Sequence, residues 1–121
     1  MTRKTSHYED IEQAALFEWA KYYPILKWMH AIPNGGQRNL REARRLKIQG
    51  VKDGVNDIFL PIPIGSHHGL VIEMKRQKIY GKAPITKKQT EYQEYMTVQG
   101  YHCVICYGCN EAIQAIKDYL K

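Results

Sequence analysis

Asp57, Glu73 and Lys75 are the residues whose types and spacing suit phosphodiester chemistry. They lie on two segments, Asn56 to Ile62 and Leu70 to Arg76, that read as strands joined by Gly65-Ser66-His67-His68-Gly69. Side chains alternate faces along a strand, so Glu73 and Lys75 project together, opposite the apolar row of Leu70, Ile72 and Met74. Likewise Ile58, Leu60 and Ile62 alternate with Asp57 and Phe59. An antiparallel hairpin centred near Gly65 pairs positions that sum to 130, which sets Asp57 across from Glu73 on one face. Carboxylates at cross-strand spacing, roughly 4.5–5.5 Å between Cβ atoms, need a proton or a cation between them. Mg²⁺ suits such a pair, because it takes one or two carboxylates and keeps waters for a substrate. Lys75 beside them would stabilise a developing hydroxide or hold the scissile phosphate. The pattern fits metal-assisted hydrolysis of a phosphodiester. The same spacing also suits a surface Glu73–Lys75 ion pair beside an unrelated Asp57.

Two further polar residues stand out. Glu12 shares a helix face with Ala15, Leu16 and Trp19, and a carboxylate on an inward stripe is unusual unless paired or near a cation. The alternative is a boundary residue reaching water. Gln89 is the fourth residue of Thr86-Lys87-Lys88-Gln89, a capping-box pattern that explains it locally.

The elements that must position these residues follow from periodicity and punctuation. Ser6-His7-Tyr8-Glu9 reads as a capping box opening a helix to about Lys21, ended by Pro24. A strand over Lys27 to Ile32 closes on the turn Pro33-Asn34-Gly35-Gly36. Asn39 and Glu42 open a short helix to about Gln49, with Gly50 as its stop. After the two strands, a helix runs from Thr86 to Gln99 and stops at Gly100, and His102 to Tyr107 reads as a buried strand. Asn110 caps a last helix with Ile113, Ile116 and Leu120 on its inner stripe. The order is helix, strand, short helix, two strands, helix, strand, helix: an α/β domain with a small mixed sheet flanked by helices. No repeat or long linker divides it, so one domain spanning 1–121 is expected.

The chain has 121 residues and a net charge of +6, with 44% hydrophobic and 25% charged residues. That composition argues against disorder or a fibre, and the charge points to a polyanionic partner. Arg38, Arg41, Arg44, Arg45, Lys47 and Lys52 crowd the short helix, with Arg41, Arg44 and Arg45 on one face. A second run, Lys75, Arg76, Lys78, Lys82, Lys87 and Lys88, brackets the paired acids. Two such runs around paired acids favour phosphate binding over mere solvation. No apolar run approaches the roughly 20 residues that span a bilayer, and the start lacks a signal peptide's apolar stretch, so a cytoplasmic protein is expected. No Gly-x-x-x-x-Gly-Lys-Ser/Thr loop occurs, so no nucleotide cofactor is expected. Cys103, Cys106 and Cys109 resemble a fragment of a metal site, but reduced thiols are the expectation, at least one packed as a small apolar residue. Trp19, Trp28 and the tyrosines are expected mainly in the core. His67-His68 is expected at an exposed turn tip.

Gly50-Val51-Lys52-Asp53-Gly54-Val55-Asn56-Asp57-Ile58-Phe59-Leu60, followed by Gly69-Leu70-Val71-Ile72-Glu73-Met74-Lys75, resembles the signature of the VRR-NUC domain, a branch of the PD-(D/E)xK nucleases. The resemblance begins at Glu12-Gln13 and continues through Lys87-Lys88-Gln89-Thr90-Glu91-Tyr92 and Gly100-Tyr101-His102. It implies a restriction-endonuclease-like core and a nuclease dependent on Mg²⁺ or Mn²⁺. It also implies that Asp57, Glu73 and the backbone carbonyl of Met74 bind metal and that Lys75 orients or activates the attacking water. Glu12 would be the first-helix acid, and Gln89 would support the site. One departure is Asn56, where the family usually has Pro; altered local geometry without loss of chemistry is expected. Short stand-alone members of this kind, from phages and bacteria, resemble junction resolvases. The expected activity is therefore a homodimeric endonuclease on branched DNA, foremost four-way (Holliday) junctions, in a bacterial or phage-infected cell. The alternatives are a catalytically silent DNA-binding module of the same fold, or a nuclease on flaps, single strands or linear DNA.

Overall fold

The computed structural model describes residues 2–33 and 39–121, with side chains from 7 onward. Its elements are α1 (Thr2–Ala20), a 3-10 turn (Pro24–Leu26), β1 (His30–Ala31), α2 (Leu40–Ile48), β2 (Ile58–Leu60), β3 (Leu70–Lys75), a second 3-10 turn (Lys78–Tyr80), α3 (Lys87–Val98), β4 (His102–Tyr107) and α4 (Cys109–Leu120). The sheet order is β1-β2-β3-β4, antiparallel up to β3 and parallel between β3 and β4. This is the mixed α/β architecture read from the sequence. Among the described residues, no helix is long and apolar enough to cross a membrane.

Leu70, Ile72 and Met74 on β3, with Ile58 and Leu60 on β2, form one buried layer against Leu16 and Ala20 of α1 and Ala112, Ile116 and Tyr119 of α4. Cys106 joins this core, and burial pushes its thiol up to about 12, so it packs as an inert apolar group. All three cysteines are free. The other face of β3 is not left to solvent. Val71, Glu73 and Lys75 are each at most 5% exposed, because α3 lies over that side. Every residue of β3 is buried, so the strand is covered on both faces and its polar residues must find partners inside.

The ladder between β2 and β3 pairs Ile58 with Ile72 and Leu60 with Leu70, the expected sum of 130. The turn itself is centred one half-step later. Ile64 and His67 exchange both backbone hydrogen bonds, at 3.0 and 2.9 Å, around Gly65-Ser66. One extra residue in Pro61-Ile62-Pro63 absorbs the difference: Ile62 N bonds back to Leu60 O, and Tyr119 from α4 donates to Ile62 O at 2.6 Å. Without that extra residue the register would slip by one and turn Asp57 away from Glu73.

Several local expectations need correction. The first helix starts at Thr2 and runs through Ser6, so the capping box is not its beginning. Pro24-Ile25-Leu26 forms a 3-10 turn, which shortens the predicted 27–32 strand to His30–Ala31. The Asn34-Gly35-Gly36 part of the predicted turn, like Arg38, lies outside the described residues. Gly108, not Asn110, precedes α4, and Asn110 falls within its first turn. Trp28 is 72% exposed, and Tyr22 and Tyr95 are also mainly in solvent, against their expected core positions. Two caps stand as read: Asn39 accepts from Glu42 N at 2.8 Å, and Thr86 and Gln89 form a complete capping box.

Asn56 is 1% exposed and links three elements. Its Oδ1 accepts from Gln93 Nε2 of α3 at 2.7 Å, and the same amide donates to Val104 O of β4 at 3.0 Å. Its Nδ2 donates to Gly54 O at 3.2 Å. Gly54 itself sits so close to α3 that a Cβ would lie 2.7 Å from Lys88 Cβ, at a φ of +89°. The loop leading to Asp57 is thereby fastened onto α3. Asn56→Ala leaves the Gln93 amide short of its acceptor, so thermal melting should show a loss of about 1–3 kcal/mol; an unchanged melt would mean the bridge carries no weight.

Candidate active site

Asp57 stands at the start of β2, held by backbone on one side and by a side-chain bond on the other. Ile32 N donates to Asp57 O at 2.7 Å, and Asp57 Oδ2 accepts from Met74 N at 2.8 Å. The carboxyl is thus carried to β3 beside Glu73. Glu73 Oε2 accepts from Gln89 Nε2 at 3.0 Å and lies 3.4 Å from Lys75 Nζ. Both side chains of that ion pair are nearly inaccessible, at 3% and 6% exposure, so it is not a surface pair. Lys75 Nζ also donates to Gln89 Oε1 at 3.0 Å. Gln89 performs two tasks at once: Oε1 accepts from Thr86 N at 3.0 Å in the capping box, and the same amide spans Lys75 and Glu73. The rigid start of α3 therefore fixes the orientation of both charged groups.

The electrostatics follow from burial. Desolvation, and then the neighbouring Asp57, push the Glu73 carboxyl up to about 8 despite the Lys75 ammonium. Burial also raises Asp57, against the opposing pull of the Met74 N–H, Glu73 and Lys75. Glu73 Oε1 is buried and meets no donor among the described residues. A buried acceptor without a donor, next to a second carboxyl, is a place that a proton or a cation completes. Oxygen donors at such a pair match a hard divalent ion that retains waters, so Mg²⁺ or Mn²⁺ fits. Among the described residues, no group of three or more His, Cys, Asp or Glu is gathered around one point, so two carboxylates are the acidic core of the site.

The α1 acids divide in a way the sequence did not reveal. Glu12 lies on the inward face, 9% exposed, as its stripe requires. Both its oxygens are taken: Oε1 accepts from Cys109 N at 2.7 Å, and Oε2 from Gln77 Nε2 at 2.8 Å. It closes the open N-terminus of α4 with a negative charge, a favourable place for a carboxylate. Glu9, one turn earlier, is half-buried, and burial raises its carboxyl; the charges it then feels most are Lys75, Asp57 and Arg76. The capping-box reading hid Glu9, since it supplied a local reason for the residue. Its i, i+3 and i, i+7 relation to Glu12 and Leu16 was the available signal.

Arg41, Arg44, Arg45 and Lys47 are exposed along α2, none of whose residues is buried. Lys47 and Lys88 both approach Asp53, at 3.4 and 3.7 Å, across a groove of about 590 Å³ also lined by Lys52 and Tyr92. Lys52 and Lys87 are exposed, and Arg76 is half-buried, donating from Nε to Tyr80 O at 3.2 Å.

A small mixed sheet with a half-buried Asp57 beside the buried Glu73 and Lys75, at the junction of its antiparallel and parallel halves, defines a nuclease-type domain. A solved structure described as a VRR_NUC domain protein is similar over 93% of this chain and 87% of its own, with 31% identity and a TM-score of 0.79. The chain belongs to the VRR-NUC family. No protein-family model matches the sequence, and no curated protein matches it.

Proposed function

We propose that the protein is a divalent-metal-dependent endonuclease that hydrolyses phosphodiester bonds in branched DNA, acting as a homodimer on four-way junctions. The observation that carries this reading is the donorless, buried Oε1 of Glu73 beside Asp57, with the Lys75 ammonium 3.4 Å from the other oxygen. Asp57, Glu73 and the Met74 carbonyl would hold the cation, and Glu9, whose carboxyl feels Lys75 and Asp57, would be the α1 acid to assist, since both oxygens of Glu12 are already bonded. A bound divalent ion supplies Lewis-acid activation of water and neutralises phosphate charge. Lys75, oriented by Gln89 and Glu73, has a third N–H to offer a phosphate oxygen or the incoming water. Water attacks phosphorus in line, and the 3′ oxygen departs, which leaves a 5′-phosphate. Exposed cations on α2 and around the Asp53 groove supply phosphate contacts that carry no sequence information. A small chain with little surface for base reading suits a two-fold substrate defined by shape.

A panel of labelled four-way junctions, flaps, single strands and linear duplexes, with Mg²⁺, Mn²⁺ or EDTA at fixed salt, tests the proposal. Metal-dependent cutting that is fastest on junctions is expected; binding without cutting would make the protein a silent DNA-binding module. In the same binding assay, Arg44→Ala should weaken all substrates alike and reduce the slope of log affinity against log salt by about 0.9. An unchanged slope removes Arg44 from the interface.

A further inference from the structure

The turn that leaves the active-site strand presents an apolar side chain to solvent in basic surroundings. Ile79, at the middle of Lys78–Tyr80, is 78% exposed, and Tyr80 beside it is 45% exposed. The turn is firmly built. Tyr80 N bonds to Gln77 O at 3.1 Å and Gly81 N to Lys78 O at 2.9 Å, and Gly81 takes a φ of +92° that reverses the chain. Arg76 Nε holds Tyr80 O, and the Tyr80 ring stacks on Tyr8 of α1 with centroids 4.2 Å apart. Gln77 is tied by its amide to Glu12. Lys78 and Lys82 both stand over the Tyr107 ring, at 4.8 and 5.6 Å. Tyr107 is the register partner of Lys75 on β4, so its ring lies on the face that carries the active site.

A rigid turn held by aromatic stacking at its base does not require an exposed isoleucine at its tip. Ile79 lies four positions after Lys75, so the tip is within about 14 Å of the catalytic lysine backbone. That is about four base-pair rises at 3.4 Å. Arg76, Lys78 and Lys82 around it match a polyanion and would draw the phosphates of a duplex arm to the turn. Apolar side chains delivered to DNA in this way enter between bases, most readily where stacking is already weak.

We propose that Ile79 is a wedge that unstacks bases at a branch point and so selects branched over continuous DNA. This deepens the function proposed above by naming what would make the site structure-specific. Tyr80, backed by Tyr8, offers the freed base an aromatic edge.

The test uses the full chain with four-way junctions carrying 2-aminopurine at the branch point, with Ca²⁺ in place of Mg²⁺. A parallel measurement in Mg²⁺ compares cleavage of junction and linear duplex. Wild type and Ile79→Leu should raise the probe's fluorescence on binding, and Ile79→Ala should not. The ratio of junction to linear cleavage should fall about tenfold in Ile79→Ala, as one lost apolar contact predicts. The wedge is overturned if wild type leaves the probe stacked, or if Ile79→Ala unstacks it equally. A changed sedimentation coefficient in Ile79→Ala without any probe effect also overturns it, since the residue then serves a protein contact. The two proposals fail separately. A wild type that unstacks the probe but cuts nothing removes the nuclease; one that cuts junctions without unstacking them removes only the wedge.

Discussion

If the proposed nuclease reading holds, Asp57→Asn should lower metal-dependent cleavage by about 10³-fold or more and, at the same time, raise the melting temperature of the metal-free protein near pH 8. The first effect is the loss of a charged ligand worth several kcal/mol in the transition state, at about 1.4 kcal/mol per factor of ten. The second follows from geometry. Asparagine still accepts the Met74 N–H through its amide oxygen, and the Glu73–Lys75 pair remains whole. What disappears is the neighbouring, half-buried negative charge of Asp57, which is among the causes holding the Glu73 carboxyl up. Glu73→Gln is the informative contrast. It should also abolish cleavage, but it removes the buried, partly ionised partner of the Lys75 ammonium and should lower the melting temperature. Opposite shifts in melting, with activity lost in both, are the expected pattern. Equal destabilisation by both substitutions would show that the pair carries no repulsion to relieve, and the case for a cation between them would go with it.

The metal-free protein should lose stability at this site as pH rises, and a divalent ion should restore it. Glu73 and Asp57 are both raised above their usual range, chiefly by burial, with Glu73 at about 8. A carboxyl with a raised folded-state pKa binds its proton more tightly in the native state. Its contribution is therefore complete below the ordinary carboxylate range near 4.5 and is lost as pH climbs through the folded value near 8. Glu9 shifts in the same direction. Thermal melts in EDTA between pH 5 and 9 should fall more steeply for wild type than for Asp57→Asn. Added Mg²⁺ or Mn²⁺ should raise the wild-type melting temperature little at pH 5 and increasingly toward pH 8, because the ion must displace the proton. Calorimetry in buffers of different ionisation enthalpy should register that proton release. A metal effect independent of pH would mean that the ion binds elsewhere.

Much of the site was legible because strand alternation is a strict period of two. Once Leu70, Ile72 and Met74 are assigned inward, Glu73 and Lys75 must share the opposite face, and the motif around Asp57 falls on the neighbouring strand. The capping box at Thr86 to Gln89 was equally local, since it closes within one helical turn. Caps read where tertiary contacts intervene were less secure. Ser6 looked like a beginning but sits inside α1, and Asn110 lost its place to a carboxylate arriving from Glu12, distant in sequence.

The sequence by itself determined the order of the elements and the faces of β3, and it singled out Asp57, Glu73 and Lys75 as the candidate set, because each follows from neighbours within a few residues. The tertiary structure alone decided that Glu73 and Lys75 are buried, since that depends on α3 closing over the sheet. It also decided that Glu12 caps α4, while Glu9 is half-buried and feels the charges of Lys75 and Asp57, because both acids share one helix face and only the packing of α1 separates their surroundings. The register that aligns Asp57 with Glu73 depends on both. The hairpin sets it to within one residue, and the extra residue near Ile62, pinned by the distant Tyr119, settles which way the carboxylate points.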